Sequence, residues 1–243
     1  MNFVLILEAK TNTLGVTSSH LLQIASAVTV QLNRDVSPHW GGTHLLRVSD
    51  ASEIMPGEVP IAILDELPDA PGAVAYHDVQ GNGVAAVFAS LAMCNSILSG
   101  SDSLSVAISH ECVESIGNPA VNLWVDDSLG NEWCHELCDA VEASTYPISG
   151  VDVSDFVLPA FFLPAFWDRG VAGPYSHLGV PSVPFGTASG GYQIIRTSGT
   201  NEHQTELESH EPKALYHGPS GRPWHETHRS HPSTRSGRIL GAK

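Results

Sequence analysis

The sequence predicts an α+β fold in which a mixed sheet packs on two main helices, and three observations support this. Short apolar runs bounded by turn residues are typical of buried strands, and they recur throughout residues 1–91. Two longer segments carry apolar residues at helical spacing. The resulting order is strand, helix, strand, strand, hairpin, helix, after which the C-terminal half is loop-rich.

The first helix and all predicted strands but one precede residue 92, and GGYQIIRT, residues 190–197, could form one last strand. The run NFVLILEA, residues 2–9, is continuously apolar and has the length of a buried strand. Residues 17–35 form the first helix, which Ser18 or Ser19 can cap. THLLRVS and VPIAILDEL supply the second and third strands. AVAYHDV and GVAAVFASL flank QGNG, a turn signal that predicts a hairpin.

The second helix is predicted for SLSVAISHECVESIG, residues 103–117. Asp102 or Ser103 can cap its start, Gly117 can end it, and Pro119 lies just beyond. Because apolar residues precede SHECVE, we do not expect this helix to be fully solvated.

The HECVE motif on this helix has the form H-E-x-x-E, whereas zinc proteases carry H-E-x-x-H. Residues four apart share a helix face, so His110 and Glu114 can bind one metal from adjacent turns. The metal would lower the pKa of a bound water, and Glu111 could take its proton to leave a hydroxide nucleophile. The alternative is an ordinary helix on which these side chains bind no metal.

A third metal ligand is expected from NEWCHELCDAVEAS, residues 131–144. Glu136, Asp139 and Glu142 are spaced three apart, so on a helix they would share a stripe. Asp139 or Glu136 is the favoured ligand, with Glu142 supporting it. Three alternatives stay open: acids that are solvated or bind calcium, a ligand from His135, and a thiolate zinc site of Cys112, Cys134 and Cys138.

Other short motifs accompany the SHExxE helix. Trp40 and Gly41 follow the first helix, residues 136–142 form E-x-x-D-x-x-E, and DFVLPAFF begins at Asp155. With these motifs the chain, over roughly residues 1–195, resembles the zincin-like proteins, and more closely an uncharacterised group from bacteria and their phages. The resemblance implies a zincin-like fold, in which a twisted sheet with an edge strand packs against the motif helix.

Charge and hydropathy narrow the classes of partner. The formal net charge of −15 argues against nucleic acid as the main partner of the acidic body. No apolar run is long enough to predict a membrane span, and the N-terminus lacks the features of a signal peptide. A cytoplasmic or virion-associated location is therefore expected, and with it free thiols at all four cysteines.

Residues 196–243 are predicted to form an extended tail, rich in histidine and arginine, beside a body of residues 1–195. Its apolar residues are scattered without a period, and from Lys213 onward it holds six basic residues against the single acid Glu226. A basic arm on an acidic body is expected to contact neighbouring chains, so an assembly role is predicted.

Two functions follow from these observations. The first is a metal-dependent hydrolase, most simply a peptidase acting on peptide substrates, with zinc as the expected metal and calcium as the alternative. The second is a non-catalytic structural or assembly protein, such as a phage virion component, that keeps a zincin-like fold. The retained Glu111 favours catalysis, whereas Glu114 in place of histidine, together with the tail, favours the structural role.

Overall fold

The computed structural model of the chain describes residues 1–80, 83–127, 129–163, 173–197, 203–206 and 237–239. These residues form a mixed α+β structure, which confirms the predicted class. The chain divides into two compact units: unit 1 comprises Met1–Pro119 and Thr145–Ser154, and unit 2 comprises Ala120–Ser144 and Asp155–Lys243. The units are interleaved in sequence, whereas a body of residues 1–195 and a tail of residues 196–243 were predicted. No helix in the described ranges is both long and apolar enough to cross a membrane.

Unit 1 is built on a five-stranded mixed sheet. Its strands are β1 (Asn2–Leu7), β2 (Leu45–Val48), β3 (Glu58–Leu64), β4 (Ala75–Val79) and β5 (Ala85–Ser90). Each overlaps a run predicted from the sequence. The order is β2-β1-β3-β5-β4, with every pairing parallel except that of β4 with β5. In the described part of the chain, β4 is thus an antiparallel edge strand.

The first helix, α1 (Ser18–Gln31), continues through a π-helical segment, Leu32–Val36, into the short α2 (Ser37–Trp40). Its cap is Thr17 and not Ser18 or Ser19 as predicted. The Thr17 hydroxyl accepts from the N–H of His20, and the His20 ring accepts from the N–H of Thr17. Histidine thus takes the part that glutamate or glutamine usually plays in a capping box.

The predicted motif helix is α3 (Leu104–Gly117), and Ser103 caps it by accepting from the N–H of Val106. Every residue from position 104 to 115 is buried. The helix packs against β4, β5 and the second strand of a hairpin formed by β8 (Thr145–Ile148) and β9 (Val151–Ser154). The Ser109 hydroxyl joins helix and hairpin, since it accepts from the N–H of Ser154 at 2.8 Å. It also donates to the carbonyl of Val106 at 3.0 Å.

Unit 2 contains a second five-stranded sheet, ordered β11-β10-β7-β6-β12. Its strands are β6 (Leu123–Asp126), β7 (Asn131–Cys134), β10 (Tyr192–Thr197), β11 (His203–Glu206) and β12 (Gly237–Ile239), and α4 (Pro159–Phe162) is its short helix. Only β10 was predicted as a strand. Trp124, Cys134 and Ile194 form a small buried cluster in this unit.

Two parts of the predicted tail are strands of this sheet. β11 pairs antiparallel with β10, and β12 pairs parallel with β6. The rest of the tail, including His210, His217, His225, His228 and His231, lies outside the described residues. Its predicted contacts with neighbouring chains stay a prediction.

A fully buried carboxylate, Asp155, anchors a loop of unit 2. Its Oδ1 accepts from the N–H groups of Phe156 at 2.8 Å and Leu178 at 3.1 Å. Burial raises the pKa of this carboxyl above its usual range and outweighs the hydrogen bonds, which act in the opposite direction.

We expect Ser109→Ala to destabilise unit 1 by about 1–3 kcal/mol, because the N–H of Ser154 loses a buried acceptor. Urea unfolding followed by circular dichroism measures the change. The exposed Ser101→Ala is the control and should stay within about 0.5 kcal/mol of the wild type. Equal effects of the two variants would show that Ser109 does not hold the helix to the hairpin.

We expect the free energy of unfolding of the wild type, relative to that of Asp155→Asn, to fall as pH rises above about 4. The carboxyl keeps its proton to a higher pH in the folded protein than in the unfolded chain. Between the two pKa values the wild type therefore loses stability relative to the amide variant, which has no proton to lose at this position. Urea unfolding between about pH 3 and pH 6 measures it.

The control for this experiment is Asp127→Asn, which should give the opposite slope. Burial alone would raise the pKa of Asp127, but hydrogen bonds from Asn131 and Trp133 outweigh it and lower the pKa. Parallel slopes for the two variants would contradict the role given to the burial of Asp155.

Candidate metal centre

The three motif residues lie on α3 in unit 1, and all are buried. His110, Glu111 and Glu114 are 9%, 6% and 4% exposed. Nε2 of His110 lies 3.3 Å from Oε1 of Glu114. Two atoms that each bind a tetrahedral zinc ion at about 2.0–2.1 Å lie about 3.3–3.4 Å apart. His110 and Glu114 are therefore spaced as two ligands of one ion.

A further histidine, His77 on β4, contacts the motif residues and was not predicted from the sequence as part of the site. It is 6% exposed. Its Nδ1 lies 2.9 Å from Oε2 of Glu111 and 3.8 Å from Oε2 of Glu114. Its Nε2 lies 3.1 Å from the backbone carbonyl of Asn118, the residue after α3. His77 therefore connects the edge strand both to the motif and to the end of the motif helix.

These contacts limit where the His77 protons can lie. A carbonyl only accepts, so Nε2 must donate to Asn118. At Nδ1, either a charged imidazole donates to the Glu111 carboxylate or a protonated Glu111 donates to a neutral imidazole. In both forms the pair of His77 and Glu111 holds one proton between them, and the Glu111 carboxyl is fixed in place.

The Glu114 carboxyl faces two imidazole rings. Its Oε1 is directed to His110 and its Oε2 to His77. A buried carboxylate is costly unless opposite charge or hydrogen bonds compensate it. The two imidazoles, or a cation bound among these side chains, can supply that compensation.

The thiolate alternative at Cys112 is not favoured by the geometry. Cys112 is fully buried, and burial raises the pKa of its thiol well above the usual range, with the Glu111 charge adding to the effect. It lies two residues from His110, on the opposite side of the helix. All four cysteines are buried free thiols, as expected.

The acids predicted to supply a third ligand lie in unit 2. Glu136 and Asp139 are buried, and Glu142 is half-buried. They are on neither a regular helix nor a strand: Asp139 opens a single 3-10 turn, Asp139–Val141, that Glu142 follows. Whether one of them binds the metal stays a prediction.

The other residues considered in this segment have local partners within unit 2. The Cys134 thiol donates to Oε1 of Glu136 at 3.4 Å. The His135 ring packs on the ring of Phe162, with the ring centres 4.9 Å apart. Whether His135 or Cys134 binds a metal stays a prediction.

The donor set on α3 and β4 selects among metals. It combines imidazole nitrogen with carboxylate oxygen, a combination that suits zinc and other transition metals. Calcium takes oxygen ligands almost exclusively, so the two histidines do not suit it.

No protein-family model, curated protein or solved structure matches this chain. What the protein does is therefore inferred from its own residues and their geometry.

Proposed function

We propose that this protein is a metal-dependent hydrolase whose cation is bound on α3 by His110 and Glu114. The observation that carries the proposal is the 3.3 Å separation of Nε2 of His110 and Oε1 of Glu114 on one buried helix face. This separation matches two ligands of one tetrahedral ion. Zinc is the metal that the donors favour.

A zincin-like fold is part of the proposal. The resemblance described above implies an edge strand beside the motif helix. The antiparallel edge strand β4 and its His77, which contacts Glu111, support this arrangement. Peptides are the proposed class of substrate.

When bound, the cation would lower the pKa of a water molecule and polarise the carbonyl to be attacked. Glu111 follows His110 in the chain and points about 100° away from it around the helix. With His77 charged, Glu111 is a carboxylate that can accept the proton of the attacking water and return it to the leaving amine. The hydrogen bond from His77 holds that carboxylate in one orientation.

We expect His110→Ala to weaken zinc binding at this position by more than about 100-fold. Loss of a partner of a ligand already costs about 10–100-fold in affinity, and His110 is proposed to be a ligand itself. Elemental analysis after equilibrium dialysis measures the bound zinc. The control is His39→Ala, which removes an exposed histidine and should leave the bound zinc unchanged. Wild-type protein that binds no zinc would instead support the non-catalytic assembly role.

We expect Glu111→Gln to keep the zinc held by His110 and to lower kcat by about 10²–10⁴-fold, because the amide cannot accept a proton. Cleavage of a fluorescent peptide pool by zinc-loaded protein measures turnover. Glu8→Gln, on a carboxylate outside the motif, is the matched control and should retain wild-type turnover. Unchanged turnover in Glu111→Gln would exclude Glu111 as the proton acceptor.

A further inference from the structure

The part of unit 1 that holds the motif carries acidic side chains but no lysine or arginine. Between Arg47 and Arg169 the chain has neither residue, and this stretch includes β3, β4, β5 and α3. We propose that the hydrolase acts on basic peptides, which exposed acids on the segment between β3 and β4 attract. This inference rests on the proposed function, since it names the charge of the peptides that would be cleaved.

Acidic side chains outnumber basic ones in unit 1 as a whole. The unit has 13 aspartates and glutamates against three lysines and arginines. Such an excess produces a negative potential, which attracts cationic ligands and repels anionic ones. The bases are Lys10, Arg34 and Arg47, and the acids are Glu8, Asp35, Asp50, Glu53, Glu58, Asp65, Glu66, Asp69, Asp78, Asp102, Glu111, Glu114 and Asp152.

Both arginines of unit 1 are already paired with carboxylates. The Arg34 guanidinium donates to the two oxygens of Asp35 at 2.7 and 2.8 Å. The Arg47 guanidinium donates to the two oxygens of Glu58, at 2.7 Å each. A carboxylate on a peptide would have to compete with these bidentate pairs, whereas a lysine or arginine on a peptide meets an excess of acids.

A divalent cation bound at the motif would not reverse the charge of the unit. Its two positive charges would balance the carboxylates of Glu111 and Glu114. Among the other acids of unit 1, the three bases can balance only three. The side chains around the loaded centre would therefore keep a negative potential, and the preference for basic peptides would persist.

Two exposed acids, Glu66 and Asp69, lie on the segment of residues 65–74 that connects β3 to β4. This segment leads directly into the strand whose His77 contacts Glu111 at 2.9 Å. An exposed charge acts over about one Debye length, which is about 8 Å at physiological salt. The segment is thus placed to attract a basic peptide to the strand beside the motif.

The test compares two fluorogenic peptide pools on the zinc-loaded, full-length protein. The pools differ only in having fixed lysines or fixed glutamates on both sides of the randomised residues. We expect kcat/KM to be at least about 10-fold higher for the lysine pool at about 0.01 M ionic strength, because electrostatic steering raises association rates by about 10–10³-fold. The preference should fall severalfold at about 1 M ionic strength, where the Debye length is only about 3 Å.

A pair of matched variants tests the segment itself. Asp69→Lys should lower the preference for the lysine pool about twofold or more at about 0.1 M ionic strength, where the Debye length is about 10 Å. Asp50→Lys is the control, since it changes the charge of an exposed aspartate that follows β2 at the opposite edge of the sheet. The two edge strands are four spacings of about 4.8 Å apart, so the control should keep the preference. Glu66→Lys replaces Asp69→Lys if that variant fails to fold.

The outcomes separate this inference from the proposed function. Equal kcat/KM for the two pools, or a higher value for the glutamate pool, would overturn the inference and leave the proposed function standing. A preference that persists at high salt, or that Asp69→Lys and Asp50→Lys lower equally, would also overturn it. No cleavage of either pool would overturn the proposed function and the inference with it.

Discussion

The rest of unit 1 depends on the burial of a helix that carries ionisable side chains. α3 is buried at every position from 104 to 115, so His110, Glu111 and Glu114 have little access to water. A buried carboxylate costs several kcal/mol in lost hydration, and removing its partner typically costs about 3–5 kcal/mol. Each of these side chains therefore needs a partner within the protein, and this need determines which residues can surround the helix.

Elements distant in sequence meet that need. His77 comes from the edge strand β4, 34 residues before Glu111, and its other nitrogen contacts the carbonyl that follows the helix. On another side, Ser109 holds α3 to β9, and the β9 carbonyl of Ser154 accepts from Gln31 of α1 at 2.7 Å. One hairpin strand thus fixes both long helices, and the motif side chains lie on a helix that is held along its length.

The sequence predicts the elements of unit 1 where local signals are strong. The strands of its five-stranded sheet are apolar runs with turn residues between them, and α3 begins at the Ser103 cap and ends at Gly117 as expected. The β8–β9 hairpin of unit 1 was not predicted. The N-cap of α1 was wrongly predicted because its capping box is completed by His20, a residue seldom used for this purpose. In unit 2, β6 and β7 were missed because each has only four residues. They pair with each other, but their outer partners lie far along the chain, as Ile195 does for Trp133.

The candidate site, too, was predictable only where a local sequence pattern exists. The spacing of His110 and Glu114 follows from helix periodicity alone, and the structure has it. His77 has no such signal, because AVAYHDV does not reveal which face of the strand meets α3. A histidine in the hairpin directly before the motif helix was the available hint. It becomes informative only when the antiparallel pairing of β4 with β5 is known, since that pairing sets which side chains face the helix.

The same buried charges would connect the proposed metal binding with folding. In the folded protein the carboxyl groups of Glu111 and Glu114 lie beside the imidazole rings of His77 and His110. A cation bound only by the folded protein stabilises it by RT ln(1 + [L]/Kd), about 2.7 kcal/mol when the free ion is at 100 times its Kd. The proposed cation, bound among residues that are costly to bury, would therefore make the stability of unit 1 sensitive to metal.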